Sequence, residues 1–512
     1  MYLTSGLQRA FQQKPDEVAT IFGGRRRSWR EVEGRVARLA GALRALGMTP
    51  GERVAMLALN SDRYLEYVLA TWWGGGVINP VNVRWSVQEI VYSLDDCDTR
   101  IVLVDDAQLH HVEAIRERAR RTPVFVHVGD GPAPDGLLSF EQLIEARDPV
   151  EDAARGGHDL ASIMYTGGTT GLPKGVMQTH LNLWSSAMQR LADAPALRGG
   201  AVLHVAPFFH MAGLGRAIMQ WIAGEPQVIL PAFDAGEVLR AIREENVAEI
   251  QLVPTMIQAV LAHDDLARTR FARVQRLTYG AAPISAALLE QVMARMPGVG
   301  LINSYGLTEA CSNVCASAPT DHDEAGRRSG LYRSVGRGGA AVLVKIVDDT
   351  GREVPRGTVG EIIVRGPNIT PGYWNKPEET AKALRDGWLH TGDGAWMDEG
   401  GHIFIVDRIK DMIVSGGENV YSAEVENAIA RHPAVAACAV IGVPHEKWGE
   451  AVHAVVVLKP GHTADADAIR DHCRQFIAGY KCPKTVEFRA TLPLSAAGKV
   501  LKRELREATR GE

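Results

Sequence analysis

At 512 residues the chain is too long for one compact core, so two or more domains are expected. Apolar residues make up 46% and charged residues 23%, the balance of an ordinary soluble globular protein, and a net charge of −5 offers no general nucleic-acid surface. Cys97, Cys311, Cys315, Cys438, Cys473 and Cys482 are scattered without a disulfide framework or zinc spacing, which suits a reducing, cytoplasmic setting.

Taken in chain order, Val32, Val36, Leu39 and Leu43 predict a helix over 29–46, ended by Gly47 and Pro50. The basic run Arg25-Arg26-Arg27 is short and reads as a solvated patch. A strand over 53–59, helices over 64–73 and 86–94, and strands over 101–104 and 124–128 follow. The apolar run 160–164 reads as a buried strand leading into a glycine- and threonine-rich stretch, 165–176. Beyond it, strands are expected over 202–206, 228–230, 250–253 and 301–303, with helices over 236–245 and 285–296. Such alternation predicts an α/β architecture with parallel sheets. Residues 320–337 read as an exposed polar loop, and 342–347 and 361–364 as strands of a β-rich subdomain. Past residue 407, helices over 422–431 and 466–477 and strands over 434–443 and 451–458 make a small α+β unit. No leader of charged then apolar residues opens the chain, and no run approaches about 18 apolar residues, so no membrane span is expected.

The stretch 165–176 reads Y-T-G-G-T-T-G-L-P-K-G-V. Gly167, Gly168 and Gly171 allow backbone N–H groups to approach an anion closely. Thr166, Thr169 and Thr170 add hydroxyl donors, and Lys174 adds a point charge. The stretch is not a Walker loop, because Lys174 follows Pro173 and precedes Gly175.

This loop resembles the phosphate-binding motif of the adenylate-forming superfamily: acyl-CoA synthetases, luciferases and the adenylation domains of peptide synthetases. Five further stretches resemble that family's motifs in the same order. They are Gly280-Ala281-Ala282-Pro283; Asn303-Ser304-Tyr305-Gly306-Leu307-Thr308-Glu309; His390-Thr391-Gly392-Asp393; Asp407-Arg408-Ile409-Lys410-Asp411 with Ser415-Gly416-Gly417; and Pro493 through Lys499. Three departures stand out: Gly167 where the family often has Ser, Ser304 where Gly is usual, and Leu494-Ser495 in place of a basic-Thr pair.

The resemblance implies an N-terminal AMP- and acyl-binding domain over 1–406 and a mobile C-terminal domain over 407–512. It implies an ATP- and Mg²⁺-dependent synthetase that joins a carboxylic acid to CoA through an acyl-adenylate. In that reading Lys174 and its loop cradle the β- and γ-phosphates, Thr308 donates to the α-phosphate, and Glu309 helps hold Mg²⁺. Asp393 takes the ribose hydroxyls and Arg408 adds a contact. Tyr305 stacks on adenine, whose edge is read by Asn303 or by the backbone of Gly280, Ala281 and Ala282. Lys499, an ordinary surface lysine from its own surroundings, becomes the residue that bridges acid and α-phosphate. His210 lies between the acyl pocket and the thiol's path, and Gly416, Gly417, Lys410 and Trp448 attend CoA. Met211, Ala212, Trp221, Tyr279 and Leu307 are the expected acyl-pocket lining. The apolar cast of Phe208, Phe209, Met211 and Leu214 suggests a medium or long fatty acid, or an aryl or thioether acid. Transfer to an amine or a carrier protein, and a catalytically silent binding protein of the same fold, are the rival readings. Peripheral membrane contact and a homodimer stay open.

Overall fold

The computed structural model describes residues 2–166, 172–282, 284–408, 411–415, 418–446, 448–495 and 500–510, without the side chains of Arg408, Asn419 and Arg510. Among these residues the strands form four sheets. A seven-stranded sheet is mostly parallel and ends on the antiparallel hairpin of Leu160–Thr166 and Lys174–Thr179. A nine-stranded sheet carries the parallel neighbours Val247–Leu252, Arg276–Gly280 and Gly300–Tyr305. An antiparallel five-stranded sheet includes Gly360–Arg365, Trp388–Met397 and Ile403–Arg408. A further five-stranded sheet pairs Val435–His445 with Gly449–Leu458.

The largest core is shared by the first two sheets. It joins Val54, Met56 and Leu103 of one to Ala19 and Ile229 of the other, through the helices Trp29–Ala45, Asp62–Trp73, His180–Asp193 and Met211–Ala223. The first of these helices begins where Ser28 and Glu31 form a capping box, each side chain satisfying the other's backbone N–H. Leu39, Leu43 and Phe140 are fully buried, each contributing about 1.5–3 kcal/mol. His180 is buried beside Trp72, its ring 6.1 Å from the indole.

Two expectations are corrected. The basic run is not a solvated patch. In the strand Arg25–Ser28 alternate side chains turn inward, and Arg25 and Arg27 both pair with the buried Asp62, at 2.6 and 3.0 Å. Arg27 also meets Glu66 at 3.2 Å, and only Arg26 is exposed. The stretch 320–337 is not a loop but three short helical turns, Pro319–His322, Glu324–Ser329 and Leu331–Arg333. Its polar residues cap those turns: Asp321 accepts from Ala318 N–H and Asp323 from Gly326 N–H, both at 2.9 Å, while Tyr332 packs into the core beneath the nine-stranded sheet.

Candidate active site

The parallel strands of the nine-stranded sheet end together at Leu252, Gly280 and Tyr305, and such carboxyl ends open onto ligand crevices in α/β folds. At Gly280, with φ +154°, an added Cβ would lie 2.1 Å from the Ser304 carbonyl oxygen, so only glycine lets the two strand ends approach. Gly306 is equally constrained, since a Cβ there would fall 1.6 Å from the Ser312 carbonyl oxygen. Ala281, exposed, holds the left-handed region at φ 62°, uncommon for a residue with a Cβ. Ala282 follows it, partly buried.

The hairpin of the seven-stranded sheet sets Thr166 opposite Lys174. Gly167, Gly168, Thr169, Thr170 and Gly171 lie outside the described residues. Lys174 Nζ pairs with Glu379 at 2.6 Å and sits 5.3 Å from the centre of the Tyr373 ring. The Tyr373 hydroxyl in turn donates to Glu309 Oε1 at 2.9 Å. Burial, with the Glu309 charge, raises the Tyr373 phenol, so it stays a donor. The hydrogen bond from Lys174 holds the Glu379 carboxyl below its ordinary range. Thr308 opens the short turn that carries Glu309, and its carbonyl accepts from Gln178 Nε2 at 3.0 Å.

Asp393 lies on Trp388–Met397, buried, opposite Arg408 of the neighbouring strand. Its Oδ2 accepts from the Tyr305 hydroxyl at 2.7 Å. Burial, and then the Asp393 charge, raise the Tyr305 phenol well above its usual value. The turn before Asp393 is held by Glu361, which takes the His390 ring at 2.7 Å and the Gly392 N–H at 2.9 Å. Asn303 is already committed: its side-chain amide donates to the Ser334 carbonyl at 2.9 Å.

The expected acyl-pocket residues separate. Ala212 lines a small closed cavity with Gly215, Arg216, Gln251 and Asn313. Trp221 does not: it is buried in the main core with Leu3 and Leu7. The Tyr279 hydroxyl bonds His322 Nε2 at 2.7 Å within the second core, and Leu307 packs with Ile346 and Ile362 of the antiparallel sheet. Phe208, Met211 and Leu214 also face the main core, so their apolar character describes packing rather than a ligand. His210 immediately precedes the helix Met211–Ala223, its ring 4.7 Å from Phe209.

Beneath Ser304 lies a buried polar group that the sequence reading missed. Arg190 Nη1 donates to Ser304 Oγ at 3.0 Å, and its Nη2 reaches Thr278 Oγ1 at 3.5 Å. Thr278 donates to Glu249 at 3.3 Å, and Glu249 pairs with Arg216, both fully enclosed. Burial lowers Arg190 to about 10, which leaves it charged at neutral pH. Tyr373 and Glu379 were missed as well. The Pro371-Gly372-Tyr373 turn was their one sequence signal: Gly372 has φ +140°, and a Cβ there would lie 2.4 Å from Thr380 Cγ2.

Lys410, Gly416, Gly417 and Lys499 lie outside the described residues, and so does the Arg408 side chain. Trp448 stacks on His445 with ring centres 4.2 Å apart and carries Lys484 over its face at 5.1 Å. Asp407, inside the strand Ile403–Arg408, accepts from Ser422 N–H at 2.7 Å at the start of the helix Ser422–Ile429. Among the described residues no three His, Cys, Asp or Glu side chains converge to hold a metal, and no helix is long and apolar enough to cross a membrane.

The chain is similar to proteins of a known family along nearly its whole length. Residues 7–374 fit the model of the AMP-binding enzyme family, and residues 424–499 fit that of the AMP-binding enzyme C-terminal domain. A feruloyl-CoA synthase from Amycolatopsis sp is 39% identical over 502 residues, spanning 97% of each protein. The ATP-bound crystal structure of MatB from Rhodopseudomonas palustris superposes with a TM-score of 0.90 at 32% identity, covering 100% of this chain and 99% of that one. The amide bond synthetase McbA from Marinactinospora thermotolerans superposes with a TM-score of 0.88 at 30% identity over 99% of each chain.

Proposed function

The chain belongs to the AMP-binding enzyme family and is an AMP-forming acyl-CoA ligase, and from that premise we propose how its residues divide the work. The carboxylate of an apolar or aryl acid attacks the α-phosphorus of ATP; the bond to pyrophosphate breaks and an acyl-adenylate forms. The thiol of CoA then attacks the acyl carbon, AMP leaves with the electron pair, and the thiol proton passes to solvent. The observation that carries this reading is the convergence of Lys174, Tyr373 and Glu309 at one end of the site with Tyr305 and Asp393 at the other. The first set meets phosphates; the second meets a sugar.

Lys174 and the 166–171 loop hold the β- and γ-phosphates, exchanging Glu379 for phosphate oxygens. Thr308 donates to the α-phosphate. Glu309, aimed by Tyr373, suits Mg²⁺, which takes few carboxylates and completes its shell with phosphate oxygens and water. Bound there, Mg²⁺ would neutralise charge that builds on the phosphates. Asp393 accepts from the ribose hydroxyls, with Tyr305 fixing its rotamer and Arg408 alongside. Lys499 bridges the acid and the α-phosphate during adenylation. The domain over 407–512 then turns about residue 407, withdrawing Lys499 and presenting Gly416, Gly417, Lys410 and Trp448 to CoA, while His210 borders the thiol's path. Such a turn lets one small domain serve two half-reactions.

Purified protein incubated with ATP, Mg²⁺ and a panel of carboxylic acids tests this reading. AMP and pyrophosphate should form only with an accepted acid, and AMP release should accelerate with CoA. Acceleration by an amine and not by CoA would instead identify an amide synthetase, the activity named for the McbA relative.

A further inference from the structure

Glu379 stands between two lysines. Its Oε2 lies 2.6 Å from Lys174 Nζ, and its Oε1 lies 3.5 Å from Lys382 Nζ, one turn along the helix Pro377–Ala383. The Lys174 side chain is 25% exposed, that of Glu379 35% and that of Lys382 71%, so water screens both pairs. Ion pairs in such surroundings shift an equilibrium by about fivefold at most. The Lys174–Glu379 pair is therefore weak enough for a phosphate, with more charge and more acceptor oxygens, to displace.

The ion pair is not what places Glu379. The segment before it is bonded by backbone to the strand Lys174–Thr179: Trp374 N–H donates to the Gly175 carbonyl at 2.7 Å, and Met177 N–H to the Gly372 carbonyl at 3.0 Å. Thr380 fixes the turn that follows, its Oγ1 accepting from Tyr373 N–H at 2.9 Å and donating to the Lys376 carbonyl at 2.8 Å. Glu379, the neighbour of Thr380, thus stays beside Lys174 whether or not the two are paired.

Both members can part without being stranded. Lys174 Nζ keeps the Tyr373 ring, 5.3 Å from its centre, whose face attracts a cation. The displaced Glu379 keeps Lys382. Both remain charged throughout, so the exchange moves no proton.

The two products of adenylation are held unequally. The acyl-adenylate retains the Asp393 and Tyr305 end of the site. Pyrophosphate is left with the Lys174 end alone, where a competing carboxylate counts most.

We propose that Glu379 is a positioning residue that competes with pyrophosphate for Lys174 and so hastens the departure of this product; this rests on the reading in which Lys174 holds the β- and γ-phosphates. As pyrophosphate leaves, Lys174 returns to Glu379, and the site is cleared before CoA attacks. The cost of this arrangement is a somewhat weaker hold on ATP.

The test titrates ATP and, separately, pyrophosphate, each with Mg²⁺, into the full-length protein by calorimetry with no acid present. Glu379→Gln should bind both roughly two- to fivefold more tightly, the strength of a partly exposed ion pair. With an accepted acid, the same variant should release pyrophosphate more slowly and be inhibited by it at proportionally lower concentration. Lys174→Met should bind both ligands more weakly, and in that background Glu379→Gln should have no further effect. A merely structural glutamate would not show this non-additivity. Unchanged or weaker binding in Glu379→Gln, or the same tightening in the Lys174→Met background, overturns the proposal while the phosphate role of Lys174 stands. Wild-type affinity for both ligands in Lys174→Met overturns that role and the proposal together. Failure of the wild-type protein to form pyrophosphate with any acid overturns the ligase reading beneath both.

Discussion

The hydroxyl of Tyr305 donates to Asp393 at 2.7 Å across 88 residues of sequence, joining the end of a parallel strand to the antiparallel sheet beside it. Asp393 is thereby held with its rotamer fixed before any nucleotide arrives. Asp393→Ala should weaken ATP binding by roughly 1.5–3 kcal/mol, the worth of a hydrogen bond to a charged group. Tyr305→Phe keeps the carboxylate but frees its rotamer and should weaken binding less. Calorimetric titration of ATP into each folded variant checks the order, and equal losses would mean that Tyr305 meets the nucleotide itself.

Glu309 and Tyr373 make a second linked pair. Glu309→Gln removes the charge that suits a cation, so the Mg²⁺ concentration for half-maximal pyrophosphate exchange should rise several-fold. Tyr373→Phe should shift the same curve in the same direction by a smaller amount. An unchanged Mg²⁺ curve in Glu309→Gln would remove the metal role from this residue.

Lys499 is tested through the two half-reactions. Losing one preorganised contact to the transition state costs about 2.7–4 kcal/mol. Lys499→Ala should therefore slow adenylation roughly a hundred- to a thousandfold. Conversion of prepared acyl-adenylate and CoA to thioester should continue near the wild-type rate. Equal slowing of both steps would argue against the domain rotation.

Asp62 carries the charge balance of the N-terminal sheet edge. Burial pushes its carboxyl up, but hydrogen bonds and charge from Arg25 and Arg27 outweigh this and hold it below the ordinary range. Asp62→Asn removes the buried charge that the two guanidiniums share, leaving Arg25 with Asp130 and Arg27 with Glu66, and should destabilise the fold by about 3 kcal/mol, read as a lower denaturant midpoint.

His180 sets an acid limit on stability. Burial lowers its folded-state pKa from 6.5 to about 4. Between those values the unfolded chain binds a proton that the folded chain does not, so stability falls as pH drops through this window. His180→Phe should flatten the decline between pH 6.5 and 4, measured by urea unfolding at a series of pH values. An unaltered slope would assign the acid sensitivity to other groups.

The strand–helix alternation was legible because each element repeats a short-range signal. The helix expected over 29–46 is observed as Trp29–Ala45, and the strand over 301–303 as Gly300–Tyr305. The stretch 320–337 was misread because its Asp and Gly residues, the usual marks of a loop, instead cap short turns over a buried Tyr332. Within the site, Lys174, Glu309 and Asp393 were visible through motif order. Their partners Glu379, Tyr373 and Tyr305 are set by contacts 205, 64 and 88 residues distant. No local pattern encodes such a distance. The buried polar group beneath Ser304 was hidden for the same reason: Arg190, Arg216, Glu249 and Thr278 come from two helices and two strands, and each alone reads as an ordinary surface or core residue.

In the proposed role, Lys174 would meet its nucleotide already paired with Glu379. Binding ATP would then exchange one ionic contact for another, with Glu379 released toward solvent as phosphate takes its place. Dissolved salt screens the incoming and the outgoing pair alike. ATP affinity should consequently decline with ionic strength less steeply than the number of cationic groups at the phosphates implies, so that the enzyme keeps its hold on nucleotide as the salt around it varies.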